Sequence, residues 1–161
     1  MKKEYKKLDK VVVNLGLGRA SAQPGFEDKL LPQYIEELNN IVGQKAQIRK
    51  ATKSIAGFKL REGTVVGLRV TLRRNRMNEF LEKLSNIVLP RVRDFRGIKE
   101  SAVDAGGSLN IGLKEHVVFP EVNTEIMKVN FGLEITIVPK VKNREEAMEL
   151  YKAIGIPFKK N

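Results

Sequence analysis

The segment VVGLRVTLRR, residues 65–74, constrains the fold more than any other stretch of this chain. Side chains along a strand alternate between two faces. Val66, Leu68, Val70 and Leu72 therefore share one face, and Gly67, Arg69, Thr71 and Arg73 share the other. The first set belongs in a core. The second is polar and cationic, so it has to meet solvent or a charged partner. A sheet built around such a strand is covered on one side and open on the other, as antiparallel sheets commonly are.

The remaining elements fit that plan. KVVVNLGLG (10–18) reads as a strand ending in glycines, and KAQIRKA, SLNIGLKE and LEITIVPK as further strands. Leu31, Tyr34, Ile35, Leu38, Ile41 and Val42 recur at helical spacing, which predicts a helix from about Pro32 to Val42. Pro32 suits its first turn, and Gly43 its stop. Met77, Phe80, Leu81, Leu84, Ile87 and Val88 line a second helix that ends near Pro90. Asn143 is the expected N-cap of a third, with Glu145 and Glu146 in its first turn and Gly155 and Pro157 after it. These elements predict an α+β fold: a mostly antiparallel sheet with helices packed on one face and the other open. At 161 residues, without linker, repeat or low-complexity segment, the chain reads as a single domain over 1–161. Residues 1–9 read as a basic tail.

Charge indicates what the open face meets. The net charge is +11, and it is concentrated: residues 44–76 hold ten basic residues against one acid, Glu62, leaving only +2 on the other 128. A surplus serving solubility would be spread out, so this cluster reads as the footprint of an acidic polymer. Within it, KATKSIAGFKLREG joins two strands and reads as a projecting basic loop over 50–63. Lys50, Lys53, Lys59 and Arg61 would neutralise phosphates, Ser54 would fix register, and Phe58 would stack on a base or sugar. Gly57 and Gly63 would supply the bend. RNA is the expected ligand, although charge alone does not distinguish it from DNA.

Other chemistries find little support. The chain has no cysteine, so disulfides and cysteine metal sites are excluded, and a reducing, cytoplasmic location is expected. No apolar run approaches the roughly eighteen residues of a membrane span. VVVNLGLG, after the basic opening residues, is too short and glycine-rich for a secretory signal. GLGRAS (16–21) imitates a dinucleotide fingerprint, but Ser21 replaces the third glycine and Pro24-Gly25 interrupts the helix that should follow. His116, the only histidine, has no nucleophile to serve and reads as structural. Glu36-Glu37 and Glu145-Glu146 read as helix-surface charge. DAGGSLN (104–110) reads as a flexible loop. No cofactor, metal or catalytic residue is expected.

Longer stretches carry a resemblance. KSIAGFKLREG (53–63), VTLRRNRMNEFLEKL (70–84) and LPRVRDFRG (89–97) resemble the bacterial large-subunit ribosomal proteins of the L-five family, which bind 5S ribosomal RNA. VVVNLGLG, GQK (43–45), HVVFPEV (116–122), GLEITIV (132–138) and GIPFKK (155–160) match in the same order, so the resemblance covers almost the whole chain. It implies a non-enzymatic structural constituent of the central protuberance. Contacts to 5S rRNA would come from Asn14, Gly16, Gln44, Lys45, Arg69, Thr71 and Arg73. The loop residues Lys50, Lys53, Ser54, Gly57, Phe58, Lys59 and Arg61 would reach tRNA in the peptidyl site. Arg96, Lys99 and Asp104, in FRGIKESAVDAGG (95–107), would bridge to a small-subunit head protein. The implied partners are 5S rRNA, large-subunit rRNA, peptidyl-site tRNA and that head protein. No membrane is involved, and the protein would be a monomer off the ribosome. Family members usually carry a longer, largely helical arm before the first strand; here a short lysine-rich piece stands in its place. The alternative reading is a general single-stranded RNA-binding module.

Overall fold

In the computed structural model, which describes residues 3–160 and only the backbone of Phe58, five strands form one antiparallel sheet. They are β1 (Leu8–Gly16), β2 (Gln47–Lys50), β3 (Val65–Leu72), β4 (Leu109–Leu113) and β5 (Leu133–Pro139), in the order β2-β3-β1-β5-β4. The helices are α1 (Leu31–Val42), α2 (Arg74–Lys83), the short α3 (Leu89–Arg91) and α4 (Arg144–Ile154). A π turn over Leu84–Val88 joins α2 to α3.

The sheet buries one face. Val11, Val13 and Leu15 of β1 share a core with Leu68, Val70 and Leu72 of β3, and with Ile111 of β4 and Ile135 of β5. Leu38 and Ile41 of α1, Phe80 and Leu81 of α2, and Leu150, Tyr151 and Ile154 of α4 cover it. The α+β plan with helices on one side of an antiparallel sheet is therefore the observed one. The helix ends follow their chemistry. Gly43 takes a left-handed φ of 70° and donates its N–H to the Asn39 carbonyl at 2.8 Å. Asn143 caps α4 by accepting the Glu145 N–H at 2.9 Å.

Three local expectations are corrected. The basic tail over 1–9 is part of the fold from Lys3 onward: Lys3–Lys7 forms a 3-10 turn, Tyr5 is buried, and β1 starts at Leu8. The two apolar side chains among the lysines draw the segment onto the core. DAGGSLN is a closed turn, with Ser108 N–H donating to Asp104 Oδ1 at 2.9 Å and the Gly107 carbonyl accepting the Tyr151 hydroxyl at 2.5 Å. Gly57 sits inside a 3-10 turn (Ala56–Phe58), and the positive φ values of the 50–63 segment belong to Lys59 (51°) and Gly63 (85°).

His116 is structural, as read. It is fully buried, stacks on Phe131 with ring centroids 3.9 Å apart, and places Nε2 3.7 Å from Glu37 Oε2. Burial outweighs the Glu37 carboxylate and holds its pKa below the ordinary 6.5. Below pH 6.5 the unfolded chain takes up this proton before the folded one does. The histidine's contribution to stability is therefore full above pH 6.5 and is lost as pH falls through the lowered folded value. Thermal melts should show Tm decreasing from pH 7.5 to 5.5, with a smaller decrease in His116→Phe; equal decreases would assign the effect to other groups.

Candidate nucleic-acid interface

Strand register builds the open face row by row, because residues paired across antiparallel strands point to the same side. Gln47 pairs with Arg69, Arg69 with Asn14, Asn14 with Glu134, and Glu134 with Gly112. This row crosses all five strands and, at about 4.8 Å per strand, spans roughly 19 Å. Beside it on one side runs Thr71–Val12–Thr136–Asn110, in which Thr136 donates its hydroxyl to Asn110 Oδ1 at 2.8 Å. On the other side run Arg49, Gly67 and Gly16. Among the described residues these rows carry no aromatic side chain. Arg69 is half-buried; its Nε is shielded from solvent and has no hydrogen-bond partner among the described residues.

The sequence-derived residues divide between this face and its edges. Asn14, Arg69 and Thr71 lie on it side by side, with Gly16 at its end. Gln44 is a brace: it donates Nε2 to the Thr71 carbonyl at 2.9 Å and accepts from Arg76 Nη1 at 3.1 Å, which ties the turn after α1 to β3 and α2. Lys45 is exposed beside it. Arg73, expected on the strand face, lies one residue past β3 as the N-cap residue of α2. Its Nη1 is 3.2 Å from Asp9 Oδ1, in a solvent-exposed ion pair at the end of the sheet. Arg49, Gln47 and Glu134 were missed. Alternation within each strand was visible, but which strands pair was not.

The 50–63 segment is a zipped hairpin extension of β2 and β3. Ala51 N–H donates to Thr64 O at 2.8 Å, and Ile55 and Leu60 exchange hydrogen bonds of 2.9 and 3.1 Å nearer the tip. Lys50, Lys53, Lys59 and Arg61 are exposed on it. Ser54 is engaged internally, its hydroxyl accepting the Glu62 N–H at 2.9 Å. The expected stacking of Phe58 lies outside the described side chains. At the far side of the molecule Arg96 and Lys99 are exposed, while Asp104 spends one carboxylate oxygen on the Ser108 turn. No cluster of three or more histidine or acidic side chains able to hold a metal occurs among the described residues. No helix there is long and apolar enough to cross a membrane.

A sheet sealed on one side by helices and carrying arginines and amides on the other defines a basic α+β protein with a face for a polyanion. Comparison with known proteins narrows the class. The family model of ribosomal protein L5 matches residues 4–61, and the model of the same family's C-terminus matches residues 65–158. The large ribosomal subunit protein uL5 of Desulforapulum autotrophicum is 50% identical over 156 residues, covering 97% of this chain and 85% of that protein. Those of Geobacter sulfurreducens (49% over 153 residues; 95% and 83% covered) and Chlorobaculum tepidum (44% over 155 residues; 96% and 82%) are similarly close. The chain belongs to the ribosomal protein L5 family. It is accordingly a protein of the large ribosomal subunit, located on the cytoplasmic ribosome, and not an enzyme.

Proposed function

We propose that the open sheet face binds 5S rRNA and that the 50–63 hairpin contacts tRNA in the peptidyl site. The observation that carries this reading is the row Gln47–Arg69–Asn14, polar throughout and backed by a continuous core, with a cationic hairpin on the same β2–β3 pair. Arginines supply affinity for phosphate, and amides and hydroxyls fix register. The exposed Arg96 and Lys99, near the Asp104 turn, form a third surface, suited to a small-subunit head protein. Large-subunit rRNA completes the set of partners, and off the ribosome the protein is a monomer.

Filter binding with 5S rRNA, tRNA and duplex DNA across salt concentrations tests the main contact. If six to ten phosphates are engaged, affinity should fall by roughly three to five decades between 50 and 200 mM salt, taking the DNA-derived slope as guide. A 5S rRNA preference persisting at the higher salt is the expected result. Equal binding to all three ligands, vanishing together, would reduce the face to a generic polyanion surface. The general single-stranded RNA module ranks lower, since such sheet platforms use aromatic stacking and the three rows offer none.

A further inference from the structure

Glu134 does not belong on a surface built only to attract phosphate. It is the one carboxylate in the regularly paired part of the open face, among the described residues, and it is exposed. Asn14 stands between it and Arg69, so the carboxylate and the guanidinium lie two strands apart and form no ion pair. Among the described residues its carboxylate has no hydrogen-bond partner either. On a phosphate-binding face an unpaired carboxylate repels the ligand's backbone. It assists binding only where the ligand presents a neutral donor. In RNA those donors are the N–H groups of base edges and the ribose 2′-hydroxyl.

The surroundings make room for such a group. Glu134 borders a recess of about 470 Å³ on the open face, lined also by Asn14, Gly16, Arg49, Gly67 and Gly132. Three glycines leave its floor without side chains. Gly67 is required by the sheet itself, since a Cβ there would lie 2.6 Å from the Leu15 carbonyl oxygen. Gly16 is different: a Cβ on it would meet nothing within 4 Å. The protein's own packing does not demand a glycine there, whereas a ligand lying against the strand backbone would.

We propose that this recess seats a single unstacked nucleotide of the bound RNA, and that Glu134 accepts hydrogen bonds from its neutral donor edge while Arg49 and Arg69 hold the adjoining phosphates. The inference rests on the sheet-face reading above and deepens it. Glu134 then sets specificity, and its negative charge lowers affinity for every RNA that does not present the donor.

The test turns on the sign of the effect. Glu134→Gln should weaken 5S rRNA at least tenfold while leaving tRNA binding unchanged or tighter, because repulsion is relieved as the acceptor pair is lost. Gly16→Ala, which strains nothing in the protein, should weaken 5S rRNA selectively and leave the Tm unchanged. Synthetic 5S rRNA fragments carrying single inosines, which lack the 2-amino donor, or single 2′-deoxynucleotides identify the donor. The position at which wild type no longer binds more tightly than Glu134→Gln shows whether it is a base edge or a ribose. Tightening of 5S rRNA and tRNA alike in Glu134→Gln, or no position that removes the wild-type advantage, would overturn the proposal. Failure of the underlying reading looks different: wild-type protein would then show no preference for 5S rRNA over tRNA at all.

Discussion

Gly97→Ala should lower stability by about 3–5 kcal/mol, the sum of left-handed backbone strain and overpacking against an immovable neighbour. Gly97 has a φ of 107°, and a Cβ there would lie 2.5 Å from Lys159 N and 2.6 Å from the Phe158 carbonyl carbon. Both are backbone atoms, so no rotamer change relieves the clash. The same residues form the strap that closes the molecule. Ile98 donates its N–H to the Pro157 carbonyl at 2.8 Å, and Lys159 donates to the Ile98 carbonyl at 2.8 Å. For a chain of this size the loss corresponds to a Tm decrease of roughly 10 °C or more. Thermal unfolding beside Gly57→Ala, where an added methyl meets nothing within 4 Å, supplies the comparison. A Gly97→Ala Tm within about 2 °C of wild type would show that the strap yields freely and that the close backbone approach is not rigid.

Arg69→Ala should reduce 5S rRNA affinity by roughly 10- to 100-fold, the range expected when a charged hydrogen-bonding group is removed from an interface. The guanidinium sits mid-row between Asn14 and Gln47, and its buried Nε has no hydrogen-bond partner among the described residues. No internal bond to that atom is broken by the substitution, so the loss should be read in binding and not in folding. The triple variant Lys53→Ala, Lys59→Ala, Arg61→Ala should leave 5S rRNA affinity within about threefold at physiological salt while weakening tRNA, since these side chains lie on the hairpin beyond the sheet. Parallel titrations of both proteins with both RNAs separate the surfaces. Equal losses from both variants with both ligands would count against two distinct surfaces.

Periodicity made much of this fold legible. The alternation from Val66 to Leu72 reports a half-buried strand directly, because burial acts on each side chain in turn. Gly43 and Asn143 were readable as helix ends for an equally local reason. What stayed hidden depends on distant partners. Tyr5 and Leu8 look like tail residues among lysines until the core that receives them exists. Gln44 is expected among the sheet-face contacts, but its amide donates to a carbonyl 27 residues away. Arg73 obeys the alternation but falls one residue past the end of β3, where it pairs with Asp9, 64 residues distant. Asn14 carried no such competing partner and lies on the face, as its strand alternation implied, whereas Lys45, expected on the sheet face, lies in the turn before β2. Glu134 becomes conspicuous only when β5 is set beside β1, since its own strand gives no reason to compare it with Arg69.

The central position of β1 also has a consequence for how the molecule comes into being. Val11 pairs with Leu72 on one side and with Ile137 on the other, partners 61 and 126 residues along the chain. As the chain is synthesised from its N-terminus, β1 emerges early and waits for most of the remaining sequence before its second edge is covered. Closing so long a loop is slow compared with pairing neighbours in sequence. Until then the Arg69–Asn14 half of the face can form without Glu134. A growing chain thus has its attractive charges in place first, and if Glu134 discriminates as proposed, selectivity arrives only with the last strand.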